Sequence, residues 1–278
     1  MTDKRALISG LGLMGGSLAA ALTQAGWQVW LHHRRPEVAV AAAARGWGTA
    51  VAEPVAPVAV AVVCGPVSAI PAMAQAAAAG CPGAAITDVG STKAGIVAAL
   101  AGVHRFVGSH PMAGSHRQGL EAADAALYRG RLCITTPVAT TDVTALATVE
   151  QLWQAVGMRV VQMDPVSHDA AVAAGSHLPH LLASTAAACC TDAGLHVAAG
   201  GFRDTTRIAA GSPDLWADIL LANRRAVAER LAVAQGRLTD LARLLESGDA
   251  AAVAAWLAVG QRQRAAFDAM DQHLPMGQ

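Results

Sequence analysis

A glycine-rich turn near the amino terminus constrains the fold of this chain more than any other feature. It follows a short apolar strand predicted over Arg5–Ser9 and opens a helix predicted over Gly15–Ala25. In a G-x-G-x-x-G turn the first glycine permits a tight bend, the second lets the backbone approach a pyrophosphate, and the third lets the helix pack on the strand. The flanking strand and helix favour a dinucleotide site over a purely structural turn, with the residues Gly10, Gly12, Leu13, Met14 and Gly15.

The end of the second predicted strand, Trp27–His33, indicates which dinucleotide is bound. Sites for NAD place Asp or Glu at this point for the ribose hydroxyls. This chain has His33, Arg34 and Arg35 instead, and the next acid is Glu37. Two arginines without a competing carboxylate suit a 2′-phosphate, so we predict NADP, with NAD as the second choice. The alternative is that both arginines are solvated loop charges.

The order of predicted elements gives the fold class. Further strands are predicted at Val58–Cys64, Ala84–Val89, Arg105–Gly108, Leu132–Thr136 and Arg159–Met163, with helical stretches between them. This alternation predicts an α/β, Rossmann-type dinucleotide-binding domain with a parallel sheet over residues 1–165. Beyond it only helices are predicted, at Ala170–Thr191, Leu215–Ser247 and Ala250–Gln272. Residues 166–278 are thus expected to form an all-α domain that binds substrate and builds a homodimer through its long helices.

Composition excludes several classes of partner. Twenty basic and twenty acidic residues cancel, so no global positive field attracts nucleic acid or an anionic membrane. No apolar stretch approaches the roughly 20 residues of a membrane helix, and glycines interrupt the one candidate signal peptide. The five cysteines lack disulfide or zinc spacing, which predicts buried thiols and a cytoplasmic location; they are Cys64, Cys81, Cys133, Cys189 and Cys190.

Polar residues follow three of the predicted strands. Cys64 ends the third strand and Pro66 follows it. Ser91 lies in Asp-Val-Gly-Ser-Thr-Lys (88–93) at the end of the fourth, and His110 lies in Gly-Ser-His-Pro-Met-Ala-Gly (108–114) at the end of the fifth. Ligands of open α/β sheets bind outside the carboxyl ends of the strands. We therefore expect Cys64, Pro66 and Ser91 to contact the cofactor and His110 to act as a general base.

The helical half carries another polar set, in Ser-His-Leu-Pro-His (176–180) and Gly-Phe-Arg-Asp-Thr-Thr-Arg (201–207). His177 and His180 lack the third ligand or His-Glu-x-x-His pattern of a metal site. An anionic-substrate pocket with Arg207 on a carboxylate is the favoured interpretation. Capping or core roles, and an ion pair between Arg203 and Asp204, are the alternatives.

Together these motifs resemble the prephenate/arogenate dehydrogenase family of tyrosine biosynthesis. The resemblance extends from about residue 5 to 270, and it also includes Trp216-Ala217-Asp218-Ile219 and Asn223. It implies oxidative decarboxylation of a cyclohexadienol with hydride transfer to a nicotinamide. His110 would then take the ring hydroxyl proton, and Ser91 would hold that hydroxyl and the nicotinamide together.

The resemblance also implies how the substrate is held. Arg207 would bind a substrate carboxylate, helped by His177 or His180 on the far side of the substrate. Trp216 would reach the pocket of the neighbouring subunit in a helix-exchanged dimer. Two departures bear on specificity: His33 stands where many members have Asp, and segment 115–119 resembles arogenate users in its Gln118. His180, by contrast, resembles prephenate users. The substrate therefore stays open between prephenate and arogenate.

Two other functions stay open from sequence. A β-hydroxyacid or imine-type dehydrogenase shares the glycine turn and a helical second half, but such hydroxyacid enzymes carry a Lys on the first long interdomain helix, and this chain has none there. A regulator that senses NADP would need no His110. The resemblance further implies that a chain ending at Gln278 lacks the regulatory domain of some members, so any tyrosine inhibition is expected to be competitive.

Overall fold

The computed structural model describes residues 3–54, 57–114 and 117–272. Eight strands form one sheet in the order β3-β2-β1-β4-β5-β6-β7-β8. Their bounds are β1 Arg5–Ser9, β2 Gln28–His32, β3 Thr49–Ala50, β4 Val60–Val63, β5 Ala85–Asp88, β6 Phe106–Pro111, β7 Leu132–Thr136 and β8 Arg159–Gln162. The order reverses between β1 and β4, which is the point where dinucleotides bind in sheets of this kind.

The sheet is mixed, whereas the sequence predicted a parallel one. Strands β1 to β6 pair in parallel, but β7 pairs antiparallel with β6, joining His110 to Ile134 and Pro111 to Cys133. A parallel return requires a crossover, usually a helix. Between β6 and β7 the described residues contain only the short 3₁₀ turn Leu120–Ala122, so β7 returns antiparallel.

Helices cover both faces of the sheet and then form a separate layer. Those of the α/β part are α1 Leu13–Gln24, α2 Pro36–Ala44, α3 Ile70–Gly80, α4 Ala94–Ala99 and α5 Val143–Ala155. Those of the helical part are α6 Pro165–Val172, α7 Leu178–Ala188, α8 Asp192–Val197, α9 Gly200–Thr206, α10 Pro213–Ala222, α11 Arg224–Ser247 and α12 Ala250–Gln272. The fold is thus a Rossmann-type α/β unit followed by helices, as the sequence predicted.

Two apolar cores lie on the two sides of the sheet. Leu18, Leu22 and Trp153 belong to the first core, whereas Ile70 and Ile96 belong to the second. Ile219 of α10 is buried in the second core and Trp216 packs against it. The helical part is therefore anchored directly on the α/β part through α10.

Two of the departures of the helical part from its predicted bounds concern the candidate site. The first helix begins at Pro165 rather than Ala170, and the π-helical segment Ala173–His177 joins α6 to α7. A break at Asn223 divides the predicted helix Leu215–Ser247 into α10 and α11. Such π segments often occur at functional sites, and both departures fall on residues of the candidate site.

Two expectations from composition can be compared with the structure. Within the described ranges, no helix is long and apolar enough to cross a membrane. All five cysteines are free, but only Cys81 and Cys133 are buried. Cys64 and Cys190 are half-buried and Cys189 is exposed on the end of α7, so the prediction of five buried thiols was wrong.

Candidate active site

The backbone of the glycine turn leaves no room for side chains at its first and third glycines. Gly10 has a φ of +97°, and a Cβ there would lie 2.0 Å from the carbonyl oxygen of Cys64. A Cβ on Gly15 would lie 1.8 Å from the carbonyl oxygen of Gly10. The Gly10 N–H also donates to the His32 carbonyl oxygen at 2.9 Å. The turn is thereby fixed against β2 and β4 by backbone contacts alone.

The second glycine faces open space, as a pyrophosphate site requires. No atom lies within 4 Å of a Cβ built on Gly12. The helix α1 begins at Leu13 with no side-chain cap and no acid in its first turn, so its first N–H groups are left for an anion. Tyr128 donates its hydroxyl to the Met14 carbonyl oxygen at 2.7 Å and supports the helix from behind. These features fit a dinucleotide.

The end of β2 presents two exposed arginines. His33 accepts a hydrogen bond at Nδ1 from the Arg35 N–H at 3.0 Å, which shapes the turn. Arg34 and Arg35 are exposed and form no ion pair within the part of the chain that the structure describes. Glu37 lies in the first turn of α2. The preceding His32 bonds Ser9 Oγ at 2.8 Å, a contact that the sequence did not suggest.

The ends of β4 and β5 carry the other predicted cofactor contacts. Cys64 follows β4 directly, and its backbone borders the glycine turn. Pro66 is exposed and caps the 3₁₀ turn Val67–Ala69. Ser91 is half-buried in the loop between β5 and α4. All three therefore lie beyond the carboxyl ends of neighbouring strands.

A buried polar cluster, which we call the Asp88 cluster, fixes these strand ends. It consists of Asp88, Lys93, Ser109 and Trp153. The Lys93 ammonium forms an ion pair with Asp88, both side chains are fully buried, and Lys93 also donates to the Ser109 carbonyl oxygen at 2.9 Å. The second Asp88 oxygen accepts from the Ser109 N–H at 3.0 Å, and Trp153 Nε1 donates to Ser109 Oγ at 3.0 Å. The cluster thus fixes the backbone immediately before His110.

His110 lies within β6 and not beyond its end, because the strand continues to Pro111. Its Nδ1 lies 2.9 Å from Nε2 of His168, so Nε2 is the ring nitrogen left for a substrate. Burial lowers the pKa of His110 well below its usual range, and the neighbouring His168, Lys93 and His177 act in the same direction. The imidazole is therefore neutral near pH 7 and is able to accept a proton.

His168 and Asp169 are functional candidates that the sequence analysis missed. His168 Nδ1 lies 2.8 Å from Asp169 Oδ1. Asp169 also accepts the N–H groups of Lys93 and Ala94, at 2.7 and 2.9 Å, and so caps the start of α4. Two adjacent titratable residues in the otherwise apolar segment of α6 were the available signal. We call Asp169, His168 and His110 the histidine network.

The two predicted histidines of the helical part lie together with Trp216. The indole stacks on His180 with ring centroids 3.5 Å apart and meets His177 edge-on at 6.1 Å. Burial lowers the pKa of His177 to about 4, and Asn223 lies 3.3 Å from its Nδ1. His180 Nδ1 is buried without a hydrogen-bond partner in the described residues.

This arrangement bears on two sequence predictions. Trp216 was expected to reach the pocket of a neighbouring subunit, and within this chain it packs on its own histidines. No group of three metal-ligating side chains occurs among the residues that the structure describes. The His177–His180 pair therefore belongs to an aromatic cluster in the helical part.

The remaining predicted substrate contacts are exposed. Arg207 lies in the 3₁₀ turn Arg207–Ala210, which packs on α7, and its guanidinium has no hydrogen bond or ion pair inside the described ranges. Gln118 is exposed in the segment before Leu120, whereas Ser115 and His116 of that segment lie outside the described residues. Arg203 and Asp204 do not form the ion pair considered from sequence. No hydrogen bond joins Arg207 to His110, both of which lie in the described ranges.

Comparison with protein families assigns both parts of the chain. Residues 18–162 match the model described as "Prephenate dehydrogenase, nucleotide-binding domain". Residues 164–259 match the model described as "Prephenate dehydrogenase, dimerization domain". The two matches meet at the start of α6, where the strands end and the helical part begins.

A prephenate dehydrogenase of Bacillus subtilis is 38% identical in a match 163 residues long, which covers 52% of this chain and 42% of that protein. The chain spans about half the length of the curated relatives that it matches at 32–38% identity.

Solved structures agree with this assignment. The structure of prephenate dehydrogenase from A. aeolicus, in complex with hydroxyphenyl propionate and NAD+, is 29% identical with a TM-score of 0.88, covering 96% of this chain and 99% of that one. Arogenate dehydrogenase from Synechocystis is 27% identical with a TM-score of 0.83, covering 95% and 99%. The chain therefore belongs to the prephenate dehydrogenase family.

Proposed function

We propose that this chain catalyses the oxidative decarboxylation of a cyclohexadienol, either prephenate or arogenate, with NADP as the preferred oxidant. The observation that carries the proposal is the position of His110. It is a neutral histidine on the strand next to β5, with Nδ1 bonded to His168 and Nε2 without a hydrogen-bond partner in the described residues. The strands β1, β4, β5 and β6 are parallel, so their carboxyl ends lie at the same edge of the sheet. His110 lies near the carboxyl end of β6, and the glycine turn follows the carboxyl end of β1.

The residues have separate roles in this reaction. A bound dinucleotide supplies the hydride acceptor. Nε2 of His110 takes the proton of the ring hydroxyl as the carbon bearing it is oxidised. Loss of carbon dioxide then leaves the bonding electrons in an aromatic ring, and the proton returns from His110 to the same oxygen. Ser91 positions the hydroxyl at the redox centre.

Substrate binding falls to the helical part. Arg207 is an exposed guanidinium without a protein partner in the described ranges and is suited to a bidentate carboxylate contact. His177, His180 and Trp216 provide an aromatic wall, and the unpartnered His180 Nδ1 is available to a second polar group of the substrate. Gln118 is expected to contact the side chain that distinguishes arogenate from prephenate.

Two features support the finer assignments of cofactor and assembly. The exposed Arg34 and Arg35 favour a 2′-phosphate, and His33 replaces the acid that would bind ribose hydroxyls. The hairpin of α11 and α12 exposes large apolar side chains, which a homodimer would cover; they include Val233, Leu238, Leu245, Leu257, Phe267 and Met270.

The test is a rate measurement with four substrate pairs. Prephenate and arogenate are each combined with NAD and with NADP, and the absorbance of the reduced nicotinamide is followed. We expect turnover with at least one cyclohexadienol and a higher kcat/KM with NADP. A β-hydroxy acid serves as the negative control, because turnover of it alone would favour the β-hydroxyacid alternative. Dinucleotide binding without any turnover would support the regulator and refute the proposal.

A further inference from the structure

The histidine network has a fixed direction of hydrogen bonding. Both oxygens of the Asp169 carboxylate accept backbone N–H groups at the start of α4. An ionised carboxylate is only an acceptor, so His168 must carry its proton on Nδ1 and donate it to Asp169 at 2.8 Å. A His168 ring with this single proton offers the lone pair of Nε2 to its other neighbour.

That neighbour is Nδ1 of His110, at 2.9 Å. Since His168 Nε2 is the acceptor, His110 must donate, and its own proton resides on Nδ1. The lone pair of His110 is thereby placed on Nε2. We infer that His168 is a positioning residue that holds His110 in the one neutral tautomer able to accept a proton from the substrate at Nε2. This inference rests on the function proposed above.

The network also receives the charge that the reaction creates. When the hydroxyl O–H bond breaks, its electron pair stays on oxygen and the proton forms a new N–H bond at His110 Nε2. The resulting imidazolium donates from Nδ1 to His168, whose other nitrogen faces the Asp169 carboxylate. Return of the proton to the same oxygen restores the starting state, so the network needs no external proton donor.

Two substitutions separate this role from simple packing. His168→Phe keeps a ring but removes the acceptor, so the His110 proton is no longer held on Nδ1. His168→Gln places an amide oxygen near the former Nε2 and retains an acceptor. His104→Gln, at an exposed histidine before β6, is the matched control.

The direct readout is the tautomer of His110, measured by NMR on protein labelled with ¹⁵N-histidine and assigned by loss of its signals in His110→Asn. In the wild type we expect a protonated Nδ1 and a bare Nε2. This state should be lost in His168→Phe and kept in His168→Gln. A wild-type His110 protonated on Nε2 would overturn the inference, whatever the activity.

The kinetic readout is the single-turnover rate of hydride transfer. A misplaced proton should lower it by about 10²-fold or more in His168→Phe, the scale of a lost general base, with little change in dinucleotide KM. His168→Gln should recover most of the rate. Equal losses in both variants, with the His110 tautomer unchanged, would mean a packing role and refute the inference. A wild type inactive on both cyclohexadienols would instead refute the proposed function and leave the NMR test decisive for the network.

Discussion

The glycine turn and the histidine network lie at the same edge of the sheet but are built in opposite ways. The turn is shaped by the lack of side chains, because Gly10 and Gly15 sit where a Cβ would collide with backbone. The histidine network consists of side chains that each form hydrogen bonds with specific partners. The turn should therefore be damaged by added atoms, and the network by lost or altered polar atoms.

The largest effect should come from removing the base. His110→Asn is expected to lower kcat by about 10²–10⁴-fold, since an amide cannot accept the hydroxyl proton. Dinucleotide affinity, measured by fluorescence titration, should stay within about threefold because the glycine turn is untouched. His104→Asn is the control. Unchanged turnover in His110→Asn would contradict the assignment of proton transfer to the histidine network and of dinucleotide binding to the glycine turn.

Adding one methyl group to the turn should have two different results. Gly15→Ala forces a contact with the Gly10 carbonyl oxygen and is expected to cost about 1–3 kcal/mol, which a thermal melt would record as a Tm lower by several degrees. Gly12→Ala meets open space, so Tm should hold while dinucleotide KM rises about tenfold or more, since close approach of a pyrophosphate is blocked. If Gly12→Ala bound the dinucleotide as tightly as the wild type, the open space at Gly12 would not be the pyrophosphate site.

The arginines after β2 should set cofactor choice and little else. In Arg34→Gln/Arg35→Gln we expect kcat/KM for NADP to fall about tenfold, whereas the value for NAD changes less, because only NADP carries the 2′-phosphate. Steady-state rates with both dinucleotides measure the effect. A parallel loss with NAD and NADP would assign these arginines to general attraction of anions.

The smallest effect should be on the pH dependence of stability. The pKa of His177 is about 4 in the folded state against 6.5 for a free histidine. In this window the unfolded chain binds more protons, so stability falls as the pH drops from 6.5 towards 4. His177→Asn should weaken that dependence, and urea unfolding at pH 7 and pH 5 gives the comparison. The same slope in both proteins would mean that His177 is not the titrating group.

The two regions also differ in how well the sequence predicts them. The glycine turn, β1 and α1 are contiguous, so spacing alone predicted both the strand and the bend. The helix α1 starts two residues earlier than predicted and ends one residue earlier. The arginines after β2 were equally local. Where the signal lies within about twenty residues, propensity and spacing suffice.

The histidine network was not predictable in this way. His110 was identified, but its partner His168 is 58 residues away and reaches it only because α6 docks against the start of α4. The direction of β7 was missed for a related reason. The sequence before Leu132 does not reveal that the segment between β6 and β7 lacks a crossover helix in its described residues. The sequence pattern predicts Asn223 inside a long helix. In the structure Asn223 lies between α10 and α11, and its side-chain amide donates to the Asp169 carbonyl oxygen at 2.8 Å.

Asp169 makes the proton chemistry dependent on how the molecule is assembled. Its carboxylate connects the first turn of α4 to α6 by hydrogen bonds. One of its oxygens, Oδ1, accepts the Lys93 N–H and also contacts His168 Nδ1. A displacement of α6 from α4 would break these hydrogen bonds, and the His168 ring would no longer be oriented against His110. The proton abstraction proposed for His110 would therefore depend on the docking of α6 against the start of α4.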